Sequence, residues 1–233
     1  MPKLIAHRGG ANSYPEMSLA AIKQTLLLKP WAVEVDLRFT CDDKAVIHHD
    51  SSAQRLFGVD RLIRAMSLEE YSELRYLTEK NIGPCSLEEL LQLAPPRLLF
   101  HMKDAGNHLR QLLALMDVYQ PESEIIWGLT EVSDFDYLVS LSSRHQVFAF
   151  PHNAEAMEDW LDQPVAAIRL WEKWLTSERI QMIHAAGKKV LVMVGEPQTV
   201  GEIEISDLKQ LIAGPIDFVL LNNVENAISL LTN

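Results

Sequence analysis

The chain has 233 residues, 48% of them apolar and 23% charged, which describes a globular protein able to bury a full core rather than a disordered or fibrous one. Its net charge of −11, from 21 basic and 32 acidic residues, disfavours nucleic acid as a partner, because phosphate backbones attract basic surfaces. No apolar run reaches bilayer length, the N-terminus turns polar too early for a signal peptide, and Cys41 and Cys85 alone make no disulfide framework, so a cytoplasmic protein without stable membrane insertion is expected.

Along the chain, short β-rich runs alternate with longer helical patterns. Strands are expected at 3–7, 32–39, 97–103, 124–129, 147–150, 166–170, 189–194 and 218–221, most of them dense in Val, Ile, Leu and Phe. Between them, Ser67 with Glu70 and Ser86 with Glu89 fit the capping box, in which each side chain satisfies a free backbone N–H of the other. Leu112, Leu113, Leu115 and Met116 stripe a helix over 107–120, Gly187 ends one over 176–186, and Gly214-Pro215 closes one beginning at Ser206. Strands separated by helices imply parallel pairing through right-handed crossovers, and eight of them close a (β/α)8 TIM barrel. An open doubly wound sheet is the competing architecture, but no glycine-rich phosphate loop supports it. The expected organisation is a single barrel domain over residues 1–233, with a small insertion after the second strand at about 51–84. That excursion carries Leu56, Phe57, Val59, Leu62, Ile63 and Met66, which suit a self-packing helix or an apolar rim for a lipid tail.

Charge appears where a core is expected. On 32–39, Val33, Val35, Leu37 and Phe39 form one face and Ala32, Glu34, Asp36 and Arg38 the other. Glu34 and Asp36 thus project from one face of a buried strand, about 7 Å apart along the backbone. A lone Glu-x-Asp commonly sits on a solvated strand edge. Buried together, two such acids repel, and a divalent cation relieves the repulsion through carboxylate oxygens. On the third strand Leu99, His101 and Lys103 share a face, and His7-Arg8-Gly9-Gly10 and His48-His49-Asp50 follow the first and second strands. Strand ends on the C-terminal face are where barrel enzymes keep their chemistry. Histidines, carboxylates, an arginine and a lysine converging there suit phosphate-ester chemistry, with cations to neutralise charge and imidazoles to exchange protons.

The order of these motifs resembles the glycerophosphodiester phosphodiesterase family. His7-Arg8-Gly9 followed by Pro15-Glu16-Met17-Ser18 is similar to the family's His-Arg-Gly and Pro-Glu-Asn-Thr. Glu34-Val35-Asp36 matches its Glu-x-Asp, and the run from Asp42 to His49-Asp50 its Asp-Gly-x-x-Val-x-x-His-Asp. Arg55 keeps part of a Leu-x-Arg, and Ile82-Gly83-Pro84-Cys85-Ser86-Leu87-Glu88-Glu89 looks like Ile-Pro-Thr-Leu-x-Glu. The resemblance is specific through residue 103 and weaker beyond.

It implies a (β/α)8 barrel that hydrolyses glycerophosphodiesters to glycerol 3-phosphate and an alcohol with a divalent cation. It implies His7 and His49 as general acid and base, Arg8 and Lys103 on phosphate oxygens, and Glu34 and Asp36 on the metal. It also implies attack by the substrate's own glycerol hydroxyl through a cyclic phosphate, with Glu16 bracing the loop after the first strand. The family's third metal-binding glutamate is replaced by His101, so Mg²⁺ or Ca²⁺ is expected, with Mn²⁺ or Zn²⁺ admitted by the imidazole. Strand seven has Met193-Val194-Gly195-Glu196 in place of the family's Trp-Thr-Val-Asn, and strand eight Leu221-Asn222-Asn223-Val224 in place of Thr-Asp-x-Pro. These departures leave two alternatives beside the phosphodiesterase: a non-catalytic barrel that binds a phosphorylated ligand, and an enzyme of shifted specificity. The expected partner is a small phosphodiester, and the sequence carries no signal for oligomeric state. Trp171 and Trp174 are candidates for the barrel mouth.

Overall fold

A computed structural model describes residues 1–10, 13–142, 145–196 and 198–232. The strands are β1 (Lys3–Ala6), β2 (Ala32–Phe39), β3 (Ala45–Ile47), β4 (Arg97–Met102), β5 (Glu124–Leu129), β6 (Gln146–Ala149), β7 (Ala167–Trp171), β8 (Lys189–Met193) and β9 (Phe218–Leu221). All but β3 are parallel and hydrogen-bonded in the order β1, β2, β4, β5, β6, β7, β8, β9, and β9 pairs back with β1. The ring is closed, as an eight-stranded TIM barrel requires.

Helices α1 (Leu19–Leu27), α4 (Leu87–Gln92), α5 (His108–Tyr119), α6 (Val132–Leu141), α7 (Ser177–Ala185), α8 (Ile205–Ile212) and α9 (Val224–Thr232) follow strands round the outside, while α2 (Gln54–Phe57) and α3 (Leu68–Ser72) lie in the insertion. Only a 3-10 segment, Glu155–Trp160, links β6 to β7. Both capping boxes form: Ser67 and Glu70 at α3, Ser86 and Glu89 at α4. Among the described residues, no helix is long and apolar enough to cross a membrane.

Two apolar layers hold the ring. Val33, Val35 and Leu37 pack outward beneath the helices with Leu98, Phe100 and Ile168. Ile5, Ala32, Leu99, Ile126, Phe148, Ala167 and Leu191 fill the lumen. Each fully buried aliphatic or aromatic side chain contributes about 1.5–3 kcal/mol, so the alternation fixes which face turns inward. Trp31 sits 4.7 Å from the Phe218 ring under the lumen, with Lys3 over its face at 4.8 Å.

The structure departs from the expected strands in one useful place. Residues 45–47 form β3, antiparallel to β2, with Leu37 opposite Ile47 and Phe39 opposite Ala45. Three residues after a tight turn carry too little pattern to read as a strand. The insertion packs on itself: Phe57, Ile63 and Met66 join Tyr71, Tyr76 and Val46 in a small core, with the Tyr71 hydroxyl donating to Ile47 O at 2.9 Å. The apolar residues that suited a lipid rim therefore turn mostly inward, and Leu62 alone of the six is 39% exposed.

Candidate active site

A cavity of about 590 Å³ is lined by His7, Arg8, Glu34, Asp36, His49, His101 and Lys103 together. The strands bring these side chains to one place by simple register. Asp36 on β2 lies opposite His101 on β4. The β3 hairpin folds the chain back, so His48 N–H donates to Asp36 O at 3.0 Å and His49 arrives at the same end of the ring.

β1 ends in a left-handed turn, with φ of 48° at Arg8, 77° at Gly9 and 78° at Gly10. A Cβ on Gly10 would stand 2.1 Å from Thr25 Oγ1, so only glycine fits there. Arg8 itself is a non-glycine residue held in strained backbone, as happens where surroundings over-determine a functional geometry. The turn aims the Arg8 N–H at Glu34 Oε2, 2.8 Å away.

Glu34 and Asp36 are each 1% exposed. Asp36 Oδ1 lies 3.0 Å from both His101 Nδ1 and Lys103 Nζ, and Oδ2 lies 3.7 Å from Arg8 Nε. None of these contacts is aligned as a hydrogen bond, so both oxygens of a buried carboxylate lack a donor among the described residues. Lys103 Nζ instead donates to His101 Nδ1 at 3.0 Å, which leaves that ring nitrogen no proton to give Asp36. Burial and the Asp36 charge push the Glu34 carboxyl up. Burial acts on Asp36 in the same sense, but the neighbouring positive charge, led by Lys103, outweighs it and holds Asp36 well below the usual range. Burial and the Lys103 charge drive His101 down to about 3, so its imidazole is neutral.

Donor atoms of Glu34, Asp36 and His101 all lie within 4.8 Å of one another. Two orphaned oxygens, a repelling acid pair and a neutral imidazole fit a divalent cation, which supplies the charge that the cluster lacks.

Each catalytic candidate has a fixed partner at Nδ1. Asn222 Nδ2 donates to Val200 O at 2.9 Å, so its Oδ1 faces His7 and accepts from Nδ1 at 2.7 Å. His49 Nδ1 lies 2.7 Å from Asp50 Oδ1 and donates to it. In the His7 ring Nε2 then carries the lone pair. Burial and the neighbouring Arg8 charge lower His7 to about 3, leaving it unprotonated at neutral pH. Gly201, at φ of 82°, closes over this pair: a Cβ there would lie 2.2 Å from Asn222 Oδ1 and 2.7 Å from His7 Nδ1. Glu16 joins Arg8 at 3.2 Å to Arg55 at 2.6 Å, and Arg55 also binds Asp50, so one ion-pair chain links the β1 turn to the partner of His49.

The far side of the cavity is built by Phe150, Arg169, Trp171, Met193 and Leu220. Trp174 stands behind it, 6.5 Å from Trp171. His152 faces outward and pairs with Glu131. Sequence reasoning gave no role to four polar residues of this cavity, Arg169, Gln198, Glu202 and Asn222. Asn222 looks like any turn asparagine, whereas Arg169 was legible: strand alternation puts Ala167, Arg169 and Trp171 on one face, as it does Glu34 and Asp36.

The family model described as the Glycerophosphoryl diester phosphodiesterase family matches residues 7–120. Glycerophosphodiester phosphodiesterase 1 of Bos taurus is 49% identical over 51 residues, covering 22% of this chain and 15% of the relative. A glycerophosphodiester phosphodiesterase of Caldanaerobacter subterraneus is 32% identical over 71 residues, covering 30% of this chain and 29% of its own length. The chain thus spans less than a third of the length of either of these two relatives. In three dimensions it is similar to a phosphodiesterase of Oleispira antarctica solved with the product sn-glycerol-3-phosphate, with a TM-score of 0.86, 18% identity and coverage of 100% of this chain and 98% of that one. At that identity the likeness establishes the barrel fold.

Proposed function

We propose that the chain, whose residues 7–120 match the glycerophosphoryl diester phosphodiesterase family, is a cation-dependent enzyme of that family that cleaves glycerophosphodiesters to glycerol 3-phosphate and an alcohol. The observation that carries this reading is the meeting of His7 and His49 with the Glu34, Asp36 and His101 cluster in one cavity.

His7, already unprotonated, accepts the proton of the substrate's glycerol hydroxyl as that oxygen attacks phosphorus. The bond from phosphorus to the alcohol breaks, and the leaving oxygen takes a proton from His49. Water then opens the cyclic phosphate: His49 accepts the water proton and His7 returns its own to the glycerol oxygen, so the second half restores both rings. Arg8 and Lys103 hold the phosphate oxygens, each drawn from a carboxylate contact that already points it into the cavity. A cation on Glu34, Asp36 and His101 would supply positive charge against the phosphoryl oxygens. The two carboxylates suit Mg²⁺ or Ca²⁺, and the imidazole moves the preference toward Mn²⁺ or Zn²⁺. Free thiols at Cys41 and Cys85 support a cytoplasmic setting.

Purified protein incubated with glycerophosphocholine, glycerophosphoethanolamine and glycerophosphoserine is expected to release glycerol 3-phosphate from at least one, and His49→Ala to abolish the release. Binding of these compounds without turnover would instead favour the non-catalytic alternative, for which the replacement of a carboxylate ligand by His101 is the motivating feature.

A further inference from the structure

Arg169 on β7 is 7% exposed, yet it faces the cavity rather than the helices, since its neighbours Ile168 and Leu170 pack in the outer layer. Its Nη2 donates to Pro151 O at 2.9 Å, while Nε and Nη1 find no hydrogen-bond partner among the described residues. The other cations of this cavity lean on carboxylates: Arg8 on Glu16, Arg55 on Glu16 and Asp50, Lys103 on Asp36. Arg169 has no carboxylate within ion-pair reach among the described residues and lies instead 5.4, 5.0 and 5.3 Å from the rings of Phe150, Trp171 and Trp174. Aromatic faces stabilise a cation but offer its N–H groups no lone pair to match a carboxylate or phosphate. Burial lowers the guanidinium to about 9, and it still carries its charge at neutral pH. A buried charge with unfilled donors is costly unless an anion completes it.

The ring order sets what that anion can be. β7 lies four places from β2 in an eight-stranded ring, so Arg169 stands across the lumen from Glu34 and Asp36. The proposed reacting groups come from β1, β2, the β3 hairpin and β4, all on the near side. A phosphodiester with phosphorus on the near side has room within the same cavity to extend its alcohol toward Arg169. We propose that Arg169 is a second anion subsite, which receives a carboxylate or phosphate carried by the leaving alcohol, so that the preferred substrates are glycerophosphodiesters of anionic alcohols. This deepens, and rests on, the phosphodiesterase reading above.

Two substrate pairs isolate the added charge: glycerophosphoserine against glycerophosphoethanolamine for a carboxylate, and glycerophosphoinositol 4-phosphate against glycerophosphoinositol for a phosphate. The charged member of at least one pair should be favoured about 10- to 100-fold in kcat/KM, the range of a buried charge-assisted hydrogen bond. Arg169→Gln should collapse that ratio toward one, and Arg169→Lys should keep part of it. A preference in the first pair alone assigns a carboxylate, in the second alone a phosphate. Ratios near one in both pairs for the wild-type protein would overturn the proposal. So would an equal loss on all four compounds in both variants, which would place Arg169 on the reacting phosphate. If the wild-type protein hydrolyses none of the four, the phosphodiesterase reading fails; dissociation constants of the same compounds, measured by calorimetry, then still read the Arg169-dependent preference or its absence.

Discussion

On the side of the barrel mouth built by β1, β2 and β4, charged groups answer one another: Glu34 receives the Arg8 N–H, Lys103 lies 3.0 Å from Asp36, and Glu16 bridges Arg8 and Arg55. On the side built by β7 and β8, Arg169 sits among Trp171, Phe150 and Met193 with two nitrogens unfilled among the described residues. The first side is preorganised for a reaction, because its dipoles and charges are fixed before anything binds. The second is incomplete until something binds. On the proposed reading one half of the mouth holds the chemistry and the other the selectivity, and each should be open to perturbation without the other.

The largest expected effect lies on the reacting side. His7→Ala or His49→Ala should lower kcat by about 10²- to 10⁴-fold, the range of a positioned proton-transfer group, with the unfolding midpoint little changed. A comparable loss from a substitution on the β8 wall, such as Met193→Ala, would break the division between the two halves.

Acid should also distinguish the halves. His48 is buried beside Phe57, 5.7 Å between rings, and donates Nε2–H to Ser52 O. Burial lowers its pKa from 6.5 to about 4. The unfolded imidazole takes up its proton near pH 6.5 and the folded one only near pH 4. Between these values the unfolded state binds more protons, so acidification costs stability, about 3 kcal/mol once pH falls below the folded value. His7 and His101 on the same side are shifted in the same direction. Urea midpoints measured from pH 7 to pH 4 should fall, and amide exchange at pH 5 should rise first around β2 and β3. Uniform exchange round the ring would contradict this.

Asn222→Ala removes the acceptor that sets the His7 tautomer and should cost about 10-fold in kcat, the worth of one well-placed hydrogen bond, with an altered pH–rate profile. Gly201→Ala, which crowds the same two atoms, should reproduce that profile. The smallest effect belongs to neither half: Ser86→Ala breaks a capping box on the outside of the ring and should lower stability by about 1 kcal/mol with turnover unchanged.

What was legible in the sequence follows from the same contrast. Glu34 and Asp36 stood out because two acids on one face of a buried strand violate burial preference together, and His101 followed from the shared register. His49 was read as a strand-end residue, but the hairpin that carries it back was not, since β3 has only three residues. Arg169 breaks the same rule as Glu34, yet a single cation in a short strand does not announce itself without a partner. Asn222 acts through one hydrogen bond contributed from 215 positions away, which no local pattern encodes.

The proposed reaction depends on a cation bound by Glu34, Asp36 and His101. Turnover of chelator-stripped protein, followed as Mn²⁺ is added back to the wild-type chain and to Asp36→Asn in parallel, tests it most directly. Stripped wild-type protein should be inactive and recover saturably, while Asp36→Asn should stay inactive over the same range. Full activity of the stripped wild-type protein, or equal recovery of both, would contradict it.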